Sequence, residues 1–66
     1  MNVIVNGNPR EIPPTLSVRG LLQHLGLGEK PVIVELNLRA LFPREFESTL
    51  LKEGDKIEIV QITAGG

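Results

Sequence analysis

Sixty-six residues without one cysteine leave this chain nothing to stand on but packed aliphatic side chains. A chain of this length buries only about 60% of the surface that its unfolded form exposes, so its stability margin is thin. Domains this small are commonly stapled by disulfides or metals. The missing cysteines exclude disulfides, persulfides and thiolate zinc sites, and the single imidazole, His24, leaves a metal only weak oxygen-rich ligand sets. One core and one domain follow. Seven basic and eight acidic side chains give a net charge of −1, which offers nucleic acid no electrostatic footprint. Phe42 and Phe46 are the only aromatic rings, so bases and sugars find no stacking platform. No apolar run reaches the roughly 18 residues of a membrane span, and no charged-then-apolar leader opens the chain. The expectation is a soluble cytoplasmic domain, monomeric when free. A pocket of the usual size, about 300 Å³ or more, scarcely fits beside a core this small. Such a chain is expected to be handled by enzymes rather than to be one.

Hydrophobic periodicity lays out the elements. Met1 to Asn6 reads as a strand, with Val3 and Val5 on one face and Ile4 on the other. Asn6-Gly7-Asn8 is a hairpin signal, because asparagine and glycine tolerate positive φ. The return strand, Pro9 to Ile12, closes on Pro13-Pro14 and belongs at a sheet edge. Val18, Leu21, Leu22 and Leu25 recur at helical spacing, with Ser17 or Thr15 as the cap and Gly26 as the stop. Gly20 inside this helix costs roughly 1 kcal/mol against alanine and is ascribed to close packing of helix on sheet. Val32 to Asn37 predicts a third strand, and Leu38 to Phe42 a shorter fourth, stopped by Pro43. Arg44 to Glu53 is mostly irregular, with room for a single helical turn, and is anchored by Phe46, Leu50 and Leu51. Ile57 to Ile62 is the last strand and the most apolar, which places it centrally beside the first. Strands before and after one helix indicate an α+β layer pair. The expected core is Val3, Val5, Val18, Leu21, Leu22, Leu25, Val34, Leu36, Leu50, Ile57 and Ile59.

Catalytic constellations are absent from the pattern. His24 lies at helical spacing among apolar positions with no nucleophile and orienting group to accompany it. Glu45 and Glu47 are the sort of carboxylate pair that eight acids produce by chance, and a solvated loop explains them. Gly26-Leu27-Gly28 precedes no helix and has no lysine-serine partner, so it is not a phosphate cradle. Gly65-Gly66 differs. A carboxylate preceded by two residues without side chains can thread a narrow cleft and admit a foreign active site to the backbone. Thr63 and Ala64 are small as well, and residues 63–66 read as a flexible C-terminal tail. Two glycines by themselves are also consistent with a frayed end.

The whole chain resembles the ThiS family of sulfur carrier proteins. The resemblance is carried by Met1-Asn2-Val3-Ile4-Val5-Asn6-Gly7, Leu16-Ser17-Val18 with Leu21-Leu22, and Val34-Glu35-Leu36-Asn37. It continues through the proline-arginine turn of Leu41 to Phe46, Gly54-Asp55-Lys56-Ile57-Glu58-Ile59, Val60 and the closing Ala64-Gly65-Gly66. Glu35 departs from the pattern, since family members more often carry an apolar or small residue there. The resemblance implies a β-grasp, ubiquitin-like fold: a mixed sheet of four to five strands with one helix across one face. It implies that a ThiF-like enzyme, using ATP and magnesium, adenylates the Gly66 carboxylate. Sulfur then arrives from a cysteine desulfurase persulfide, and the resulting thiocarboxylate serves a ThiG-like thiazole synthase in thiamine biosynthesis. Ala64 and Gly65 would thread the partner clefts, and no cofactor or metal would be bound by the chain itself.

Recognition then needs a surface. Alternation along the last strand turns Ile57 and Ile59 toward the helix and Glu58, Val60 and Ile62 outward, where Ile4 of the first strand also points. Ile4, Val60 and Ile62 are therefore the expected partner-binding residues, on an uncovered apolar face that leads to the tail. Isolated exposed aliphatics are also ordinary on protein surfaces. The small subunit of molybdopterin synthase and carriers of other sulfur pathways remain open alternatives. So does a ubiquitin-like adaptor that binds partners without being modified.

Overall fold

Two asparagines set the frame of the sheet. Asn6 (φ 49°) and Gly7 (φ 82°) form a two-residue turn between β1 (Asn2–Val5) and β2 (Asn8–Glu11), closed by Val5 opposite Asn8. Asn37 (φ 51°) and Leu38 (φ 71°) repeat the device between β3 (Val32–Leu36) and β4 (Arg39–Leu41). Positive φ at both central residues matches the twist of the flanking strands, which is why such turns connect hairpins. The computed structural model describes residues 1–63. Its other elements are α1 (Val18–His24), a single 3-10 turn at Pro43–Glu45, and β5 (Lys56–Gln61).

The five strands form one mixed sheet in the order β2-β1-β5-β3-β4, with β5 parallel to β1 and antiparallel to β3. The last strand is central, as expected, but not because it is the most apolar: Lys56–Gln61 is half polar, and Val32–Leu36 is more apolar beside it. The parallel pairing of β5 with β1 is brief, with Ile4 and Val5 in register with Lys56 and Ile57. Beyond Val5 the Asn6 side chain takes over the ladder. Its Oδ1 accepts the Ile59 N–H at 2.7 Å and its Nδ2 donates to the Ile59 carbonyl at 3.1 Å. One residue thus turns the hairpin and extends the pairing of the two chain ends.

Helix α1 starts where the Ser17 hydroxyl accepts the Gly20 N–H at 3.0 Å. It buries Val18, Leu21 and Leu22 completely and ends ahead of Gly26 (φ 78°). Gly20 is closely packed, and its nearest neighbour is a side chain ahead of the helix. A Cβ there would meet Leu16 Cδ1 at 2.7 Å, so the close neighbour is the residue ahead of the cap.

The fourth strand is shorter than Leu38–Phe42, because Leu38 belongs to the turn and the Phe42 N–H goes to Glu45 Oε2 at 2.8 Å. The irregular segment docks by backbone bonds on both sides of the cap: Val18 N–H to the Thr49 carbonyl and Leu51 N–H to the Leu16 carbonyl, each 2.9 Å. This bridge corrects the expected core. Leu51 points inward, 4% exposed, and Leu50 outward, 57% exposed. Neighbouring residues in extended chain face opposite sides, so the choice between two adjacent leucines rests on pairing phase. Val5, Leu25 and Leu36 are only partly buried, while Ile12, Val32, Leu41 and Phe46 complete the core.

Candidate functional site

The helix covers one face of the sheet and leaves the other open. Register assigns that face: Val34 opposite Ile59 and Leu36 opposite Ile57 lie under the helix, so Ile33 opposite Val60 and Glu35 opposite Glu58 look outward. Carrying the β3–β4 register one residue past Val34–Leu41 sets Phe42 beside Ile33. Phe42, Ile33 and Val60 form a row across three strands, each more than half exposed at 59%, 52% and 59%. The Arg44 guanidinium stands 4.7 Å from the centroid of the Phe42 ring, giving the row a cationic end.

Ile62 prolongs the β5 ladder by donating its N–H to the Pro31 carbonyl at 3.0 Å. Alternation keeps it on the side of Val60, and it also borders a small cleft with Arg19, Lys30 and Phe46. In that cleft Arg19 is fixed by a 2.9 Å bond to the Gly28 carbonyl and lies 5.2 Å from the Phe46 ring centroid. Ile4 does not join the row. Its partner on β5 is Lys56, four positions before Val60, roughly 13 Å away along the strand. Ile62 follows Val60 by two positions but borders the Arg19–Phe46 cleft, Ile4 is separated from Val60, and Ile33 and Phe42 are added. Ile33 was legible in the sequence, because it alternates with the inward Val32 and Val34. Phe42 was not, because its placement depends on the β3–β4 register.

Ala64, Gly65 and Gly66 lie outside the described residues. The chain reaches them from the end of β5 beside Pro31, at the same end of the sheet as the Phe42–Ile33–Val60 row. The remaining candidates have structural duties. Glu45 closes the 3-10 turn through Phe42, and the Leu27 N–H donates to the Leu22 carbonyl at 2.8 Å as the chain leaves the helix. His24 borders an open depression with Arg10 and Glu11, whose described lining holds no Ser, Thr or Lys. Among the described residues no cluster of three or more His, Asp or Glu is placed to hold a metal, and no helix is long and apolar enough to cross a membrane.

A five-stranded mixed sheet in this order, one helix across one face, and the chain leaving from the central strand define a ubiquitin-like β-grasp domain. The model of the ThiS family matches residues 3–66, and the chain belongs to that family. A crystal structure of the thiamine biosynthesis protein ThiS from Geobacter metallireducens superposes with a TM-score of 0.85 at 36% identity, covering 100% of both chains. A solution structure of a thiamine biosynthesis protein from the same organism gives 0.84 at 36% identity, over 100% of this chain and 88% of that one. Among sequences, the uncharacterized protein ycf40 of Porphyra purpurea is 33% identical over 66 residues, covering 100% of this chain and 93% of its own length. A thiazole synthase of Paramagnetospirillum magneticum is also 33% identical over 66 residues, yet this chain spans only 20% of it.

Proposed function

We propose that this chain is a sulfur carrier of thiamine biosynthesis and a protein co-substrate rather than an enzyme. The observation that carries the reading is family membership over residues 3–66, a span that runs through the closing Gly65-Gly66. A bare carboxylate is a poor electrophile, because its charge repels nucleophiles and oxide is a poor leaving group. Adenylation of Gly66 by a ThiF-like enzyme with ATP and magnesium supplies AMP as a good one. Persulfide sulfur from a cysteine desulfurase relay then displaces AMP, and a thiol reductively cleaves the resulting acyl disulfide to leave the thiocarboxylate, a soft nucleophile that a ThiG-like thiazole synthase uses to build the ring. The carrier needs no cysteine, since its own terminal carbonyl carbon holds the sulfur. Two relatives named thiazole synthase contain a stretch matching this whole chain, which supports thiazole synthase as the consuming partner. The Phe42–Ile33–Val60 row and Ile62 form the surface that docks the activating enzyme beside the tail.

The test is mass spectrometry of the chain after incubation with ATP, magnesium, the activating enzyme and a sulfide source. The expected result is the mass gain of sulfur replacing oxygen, confined to the C-terminal fragment. Removing Gly66 abolishes that gain and leaves thermal stability unchanged. A chain that never gains the mass yet binds the enzyme through its open face is an adaptor.

A further inference from the structure

The sheet has two edges, and they are finished differently. On β2 the phase is set by Met1 and Ile12, whose backbone N and O atoms exchange bonds of 2.8 Å in both directions. Asn8 and Arg10 therefore bond to β1, while Pro9 and Glu11 face outward. A proline at an outward position has no N–H to offer, and Pro13-Pro14 follow it. That edge is closed to further pairing.

On β4 the phase is set from β3. Asn37 N–H donates to the Lys56 carbonyl at 2.8 Å and Ile62 N–H to the Pro31 carbonyl at 3.0 Å, so odd-numbered residues of β3 bond to β5 and even-numbered ones to β4. With Val34 opposite Leu41 and Leu36 opposite Arg39, the Arg39 and Leu41 backbones turn inward and the Ala40 N–H and C=O point away from the sheet. Within Arg39–Leu41 no proline, lysine or bulge protects this edge, and Pro43 only ends it. Ala40 shares the open face with Phe42, 59% exposed, Arg39 stands exposed on the opposite face, and Leu38 in the preceding turn is 92% exposed. Leu38 is doubly disfavoured where it is. A left-handed backbone costs a leucine roughly 1–2 kcal/mol, and its side chain is left in water.

We propose that β4 is a strand-addition site for an extended segment of a partner protein in which apolar and acidic residues alternate. The segment pairs with the N–H and C=O of Ala40. Its apolar side chains lie against Ala40 and Phe42, and an acidic side chain on the other face meets Arg39, because successive strand residues point to opposite faces. A second copy of this chain is a poorer occupant. Three paired residues cannot approach the roughly 1,200 Å² that stable associations bury, and β4 has no acid to set against Arg39. The site shares Phe42 with the docking row but stands without the carrier reading.

The probe is a capped Val-Glu-Val-Glu-Val peptide, titrated into the isotope-labelled chain by NMR to about 1 mM, the weak end of specific recognition. The expected result is a saturable shift of the Ala40 amide and its neighbours in β4, with no such shift from Val-Lys-Val-Lys-Val. Arg39→Glu, a surface change, reverses that preference. The proposal is overturned by a silent Ala40 amide, by equal response to the lysine peptide, or by shifts centred on β2. It is also overturned if the β4 amides shift on dilution of the chain alone, which would assign the edge to a second copy.

Discussion

Asparagine and leucine hold the same kind of backbone in the turn between β3 and β4 and hold it at different cost. Asn37 has its side chain engaged: Oδ1 accepts the Lys56 N–H at 3.0 Å and Nδ2 donates to Asp55 Oδ1 at 3.0 Å. Asp55 in turn accepts the Lys52 N–H through Oδ2 at 2.7 Å, which fixes the turn that leads into β5. Leu38, next in the chain, has the positive φ of 71° without any such return. Leu38→Gly is therefore expected to raise stability by about 1 kcal/mol, since glycine adopts that region without steric penalty. Urea unfolding measures it, and an unchanged or lowered midpoint would show that the leucine is not strained.

At the scale of elements, the segment between the 3-10 turn and β5 shows how little sequence periodicity says about a docked loop. Leu50 and Leu51 are adjacent and chemically identical, yet the Leu51 N–H bond to Leu16 and the Val18 bond to Thr49 commit one inward and the other to solvent. Leu51→Ala is expected to cost about 2–5 kcal/mol, the range for deleting a buried leucine side chain. Leu50→Ala is expected to stay within about 0.5 kcal/mol, as surface changes do. Thermal unfolding of the two variants side by side decides it, and equal losses would place both leucines in the core. Glu35 and Glu58 make a second test at this scale. They face each other on the open side of β3 and β5, and like charges directly opposite are unfavourable by a few tenths of a kcal/mol. Glu58→Gln is expected to stabilise by that amount at low salt and by less as salt screens the pair.

For the whole molecule, the sheet is divided into a covered face that holds it together and an open face, which the proposed function assigns to partners. Phe42→Asp and Val60→Asp are expected to slow adenylation by the activating enzyme at least about tenfold, the loss of roughly 1.4 kcal/mol of docking energy, while leaving the melting temperature in place. Ile4, set apart from that row by the β1–β5 register, serves as the contrast, and Ile4→Thr is expected to leave adenylation unchanged. Equal sensitivity at Ile4 and Val60, measured as kcat/KM for the activating enzyme, would mean that the docking surface is not the row across β5, β3 and β4.

What the chain determined by itself were local matters: where strands and the helix form, which of their faces are apolar, and where asparagine and glycine turn the backbone. These follow from periodicity and φ preference over a few residues. The tertiary structure alone decided relations between distant segments: Leu51 rather than Leu50 in the core, Phe42 rather than Ile4 beside Val60, and the difference between a β2 edge closed by Pro9 and a β4 edge left open at Ala40. Each depends on the phase in which extended segments pair, and a shift of one residue exchanges the two faces of a strand without altering its composition.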